Sequence, residues 1–106
     1  MKDISEYFIN VSDNVQEGDL KKILTEMGEV LERKNKDYGS ASFRTGLIGN
    51  YCRLYDKFSR LEQGLIHGKE MNFEGIEDTY KDIIGYAAIG LLILKLTKEQ
   101  NGNQSK

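Results

Sequence analysis

Residues 83–96, IIGYAAIGLLILKL, are apolar almost all the way round. A membrane span needs roughly 20 such residues, and this run is both shorter and interrupted by Gly85, Tyr86, Gly90 and Lys95. A helix apolar on every side must be covered on every side. Two further helices from one short chain can hardly do that, which predicts self-association. Gly85, Ala88 and Gly90 would let another helix approach closely. The competing cover is the chain's own N-terminal segment, with Tyr7, Phe8, Ile9 and Val11, folding back over the helix.

Working outward, this helix begins near Phe73–Glu74 and ends near Leu96. Upstream, Leu20, Ile23, Leu24, Met27, Val30 and Leu31 form one helical stripe. Asp19 is placed to cap its start, and Gly39 to stop it. A second stripe runs from Leu47 through Tyr51, Leu54, Tyr55, Phe58 and Leu61 to Leu65, and GLIHGKEMN reads as the following loop. The chain has no proline, as three uninterrupted helices require. The expected fold is all-α, a small antiparallel bundle of three long helices. One helical domain covers 1–98, and the polar residues 99–106 are expected as a disordered tail.

Composition bounds the function. The chain has 106 residues, with 15 Lys and Arg against 17 Asp and Glu, one His and one Cys. A net charge of −2 argues against binding a nucleic-acid polymer, which needs surplus cations to neutralise phosphates. One cysteine excludes an internal disulfide and a cysteine-pair zinc site. The opening MKDISEYFINVSDNV has no signal-peptide pattern, so the cytoplasm is the expected location.

Three groups of residues carry possible chemistry. Glu74, Asp78 and Asp82 recur at i, i+4 and i+8 on one side of the third helix. Like charges at that spacing repel by a few tenths of a kcal/mol per pair. A helix N-terminus does favour carboxylates, so a solvated acidic face is the plain reading. Their strip, however, continues through Gly85, Ile89, Leu92 and Leu96, acidic at one end and apolar at the other. Such a strip belongs at the mouth of a crevice, where carboxylates can hold Mg²⁺ against phosphates. Glu77 pairs with Lys81 at i+4 on the neighbouring strip and reads as surface.

The second helix sets Arg53, Lys57 and Arg60 around Asp56. Asp56 can pair with Arg53 and Arg60, giving a salt-bridged face, but three cations exceed what one carboxylate needs, and phosphate binding uses such a surplus. The third group is KNKDYG, residues 34–39, where Lys34 falls on an apolar stripe and Tyr38 could stack on a base. His67 reads as an exposed loop residue and Cys52 as a buried or half-buried thiol. There is no P-loop and no dinucleotide fingerprint.

The ordered motifs KNKDYGSASF, RLYDKFSRL and EGIEDTYKDIIGYAAI resemble those of the phage and bacterial family called nucleotide modification associated domain 1, over about Leu20 to Leu94. The resemblance implies an all-helical protein of phage-type nucleotide metabolism, similar in style to MazG-like nucleoside triphosphate pyrophosphohydrolases, and a host cytoplasm if phage-encoded. It implies ligand-binding roles for Lys34, Asp37, Tyr38, Arg53, Asp56, Lys57, Arg60 and Tyr86, and a Mg²⁺ site at Glu74, Asp78 and Asp82. The MazG four-carboxylate pattern is altered: Glu29 of the Glu26–Glu29 pair lies opposite the apolar stripe, and Glu74 and Asp78 stand four apart.

Three readings of function stay open. The first is a Mg²⁺-dependent pyrophosphohydrolase, in which a metal-activated water attacks a nucleoside triphosphate. The second is a non-catalytic sponge that sequesters a nucleotide or a cyclic-nucleotide immune signal, an anti-defence protein needing cations and an aromatic but no metal. The third is a helical oligomerisation module.

Overall fold

Three α-helices in order, α1 (Asp19–Tyr38), α2 (Gly46–Leu61) and α3 (Phe73–Gln104), account for most of the chain. The computed structural model describes residues 3–38, 41–70 and 72–104, without the side chains of 37, 38, 103 and 104. Among the described residues there is no strand, and the fold is all-α. Short 3-10 turns at Ser5–Phe8, Ser12–Asn14 and Ala41–Phe43 lead into α1 and join it to α2. A π-helical turn, Glu62–Ile66, follows α2 without a break.

The expected stripes mark helices, with two differences at their ends. α2 gives way to the π turn at Leu61, four residues before the Leu65 of its stripe, and Gly64 of that turn is buried. α3 runs on to Gln104, so residues 99–104 are helical where a disordered tail was expected. Nothing in TKEQNGNQ interrupts the i→i−4 bonds as a proline would, and Gly102 costs only about 1 kcal/mol against alanine. Asp19 opens α1 as expected, but its carboxylate accepts the N–H of Gln16 at 2.8 Å and so ties down the preceding turn.

The tightest packing is between α2 and α3. Asn50 Nδ2 donates to the Tyr86 carbonyl at 2.8 Å, and Lys57 reaches Asp82 at 3.0 Å. Rising numbers on α2 meet falling numbers on α3, so the two run antiparallel. Gly90 permits this approach, since a Cβ there would stand 2.7 Å from Asn50 Oδ1. Gly85 does the same for α1, where a Cβ would meet Leu31 Cδ2 at 2.9 Å. Among the described residues the buried apolar side chains are Met27, Leu61, Ile76 and Ile93, each still 7–8% exposed. At about 1.5–3 kcal/mol for each such side chain, this is a thin core.

Much apolar surface therefore stays exposed. Leu20, Ile23 and Leu24, the first half of the α1 stripe, are uncovered. The N-terminal segment does not supply the missing cover: Tyr7 packs edge-on against Phe73 at 6.2 Å, but Phe8, Ile9, Val11 and Val15 face solvent. α3 presents three faces. Ile76, Thr79, Ile83, Tyr86, Gly90 and Ile93 recur along the side turned to α2, and Gly85, Ile89 and Leu92 along the side turned to α1. Tyr80, Ala87, Leu91 and Leu94 stand on a third side that meets neither helix.

Candidate functional site

α1 and α3 lean together at the Leu31–Gly85 contact and enclose a cleft of about 490 Å³. Its floor is apolar: Met27 and Leu31 come from α1, Gly85, Ile89 and Leu92 from α3. The wheel explains why α3 offers these side chains here, since positions 82, 85, 89 and 92 share one strip at about 100° per residue. Phe43 and Ser42, from the 3-10 turn between α1 and α2, close one side. Lys34, Asn35 and Lys81 add polar groups to the walls, together with the carboxylates of Glu32 and Asp82. An apolar floor with a few placed polar groups is the usual make-up of a small-molecule site, and the volume falls in the range of about 300–1,000 Å³ that such sites occupy.

Some of the residues expected from the sequence meet in this cleft and others do not. Lys34, Tyr86 and Asp82 line it. The odd place of Lys34 on an apolar stripe is resolved here, because that stripe is the cleft wall. Lys57 stands behind Asp82, 3.0 Å from its Oδ2. The Arg53 guanidinium lies 6.0 Å from the centroid of the Tyr86 ring, at the outer limit of a cation–π contact. Arg53, Asp56 and Arg60 are exposed, and among the described residues Asp56 forms no ion pair with either arginine. Among the described residues the salt-bridged face is thus absent, and neither Arg53 nor Arg60 meets a carboxylate on the surface of α2. The side chains of Asp37 and Tyr38, and all of Gly39, lie outside the described residues.

The three carboxylates do not converge. Among the described residues no three of His, Cys, Asp and Glu are grouped as metal ligands. Glu74 and Asp82 are separated by roughly 12 Å of helix rise, Glu74 and Asp78 are exposed outside the cleft, and Asp82 is already engaged by Lys57. These residues do not fit a three-carboxylate Mg²⁺ site within one chain. Cys52 is exposed, not half-buried, because it stands on the side of α2 away from α3.

Asn35 belongs to the KNKDYG group singled out in the sequence, whereas Lys81, Ser42 and Phe43 were not legible as site residues. Lys81 does form the expected ion pair with Glu77, at 3.7 Å, yet it also lines the cleft. Its wheel position, about 40° from Gly85, was the available signal. Ser42 and Phe43 sit in a short turn that has no periodicity to read.

The family model described as nucleotide modification associated domain 1 matches residues 34–94, more than half of the chain. The match takes in Lys34, Phe43, all of α2 and the cleft-facing turns of α3, while Met27 and Leu31 lie upstream of it. No curated protein and no solved structure matches the chain.

Proposed function

The chain belongs to the nucleotide modification associated domain 1 family, and on that premise we propose that its α1–α3 cleft binds a nucleotide. The observation that carries this reading is the two-part chemistry of one cavity: an apolar floor beside the cations Lys34 and Lys81. A base settles on Met27, Leu31 and Ile89, against the rings of Phe43 and Tyr86. Its phosphates take Lys34 and Lys81, and a long phosphate chain reaches the surplus cation Arg53 beyond Tyr86. Lys57 is spent on Asp82 and holds that carboxylate back from the bound anion.

Capture without hydrolysis is the reading this arrangement favours, as in a sponge for a nucleotide or a cyclic-nucleotide signal. Its support is that Glu74, Asp78 and Asp82 point along successive helix turns instead of toward one ion. Incubation with nucleoside triphosphates, their deoxy forms and cyclic dinucleotides, with Mg²⁺ and with EDTA, separates the two activities. Intact ligand recovered after denaturing the protein supports capture. Pyrophosphate released only with Mg²⁺ overturns it in favour of a pyrophosphohydrolase, and no binding to any nucleotide overturns the cleft assignment itself.

A further inference from the structure

Ile48, Tyr51, Tyr55 and Phe58 are spaced three, four and three apart on α2, and all are more than half exposed. On α3, Tyr80, Ile84, Ala87, Leu91 and Leu94 repeat at four, three, four and three, all of them exposed except the half-buried Ile84. Alternating steps of three and four are the seam by which one helix packs along another. Among the described residues neither seam has such a partner: Leu91 is 70% and Ile48 76% exposed.

The two seams form one surface. On each helix the seam lies about 100° around from the line that faces the other helix, in the same rotational sense. Because α2 and α3 run antiparallel, equal rotations bring both seams to the same side of the pair. The cleft strip of α3 lies roughly 160° away from its seam, on the opposite side.

We propose that this α2–α3 face is covered by the same face of a second copy of the chain, making a two-fold dimer with a four-helix core. Three features select a second copy as occupant. Both rows carry the same three-four spacing, so the face is complementary to itself under a two-fold axis. At about 150–250 Å² for a large aromatic side chain, the exposed fractions leave on the order of 800 Å² per copy, the amount a standard interface takes from each partner. Charge is confined to the margins, with Glu62 at one end of the α2 row, Lys98 beyond the α3 row, and Glu77 and Lys95 on its flank. That is a dry centre with a polar rim. A lipid surface would instead call for flanking Lys and Arg on a cationic helix, and this chain carries a net charge of −2. The clefts open away from the interface, so each is complete within one copy.

Sedimentation equilibrium of the full chain at micromolar concentration tests the proposal. The expected mass is twice 12.1 kDa. Tyr55→Glu and Leu91→Glu, each on an exposed side chain that the isolated chain does not need, should weaken the dimer roughly 30-fold or more. Far-UV circular dichroism should stay helical in both. Leu24→Glu, on the uncovered part of α1, should leave the dimer intact. A parent chain that sediments as a 12.1 kDa monomer overturns the proposal, as does an assembly that survives both row substitutions or is split by Leu24→Glu alone. Nucleotide binding plays no part in these readings.

Discussion

Lys57 Nζ stands 3.0 Å from Asp82 Oδ2, joining α2 to α3 where the cleft strip changes from acidic to apolar. Each side chain is about one-third exposed, so water screens the attraction, and the pair stabilises the fold by less than about 1 kcal/mol. Its larger effect is on the site, because it gives Asp82 a cation that is not a metal. A double-mutant cycle of Lys57→Met and Asp82→Asn, followed by urea unfolding, should return a coupling below about 1 kcal/mol. Nucleotide affinity of Asp82→Asn should change equally in Mg²⁺ and in EDTA. A change seen only with Mg²⁺ would make Asp82 a metal ligand after all.

Lys34→Ala and Lys81→Ala should each weaken nucleotide binding by about 10-fold or more, since a charge-assisted contact to phosphate contributes roughly 1.5–3 kcal/mol. Arg60 is exposed on α2 and does not line the cleft. Arg60→Ala should therefore shift affinity by no more than about 2-fold by titration calorimetry, the effect of a distant screened charge. The reverse order of effects would move the phosphate site from α1–α3 to the α2 surface.

Ala88 is exposed and lines the cleft, so a larger side chain there fills ligand space without entering the core. Ala88→Phe should abolish nucleotide binding while leaving the melting temperature within a few degrees of the parent. If the variant binds normally, the ligand sits elsewhere.

Asn50 is 5% exposed and donates to the Tyr86 carbonyl, directly beneath Gly90. Alanine in a helix interior normally gains about 1 kcal/mol over glycine, yet a Cβ at position 90 would collide with the Asn50 amide oxygen. Gly90→Ala should destabilise the chain by about 1–3 kcal/mol, the cost of overpacking. In an Asn50→Ala background the same change should be neutral or stabilising. Additive effects in denaturant unfolding would mean that the two positions do not press on each other.

The sequence by itself determined which segments are helical. Periodicity and missing prolines act within a few residues of each position, so α1 begins at Asp19, where its stripe sets in. It also brought out the cleft strip of α3, because Asp82, Gly85, Ile89 and Leu92 share a wheel position whatever lies opposite. The α3 apolarity all round was legible too, but not which neighbour would take each face. Only the tertiary structure decided that α2 claims the Thr79–Tyr86–Gly90 side, that α1 leans on Gly85, and that the Tyr80–Leu91 side stays open. Likewise only packing carried Lys81 and Phe43 to the cleft and kept Glu74 and Asp78 out of it. The physical reason is that these outcomes depend on close approaches between residues far apart in the chain, Asn50 with Gly90 and Leu31 with Gly85. No local period records them.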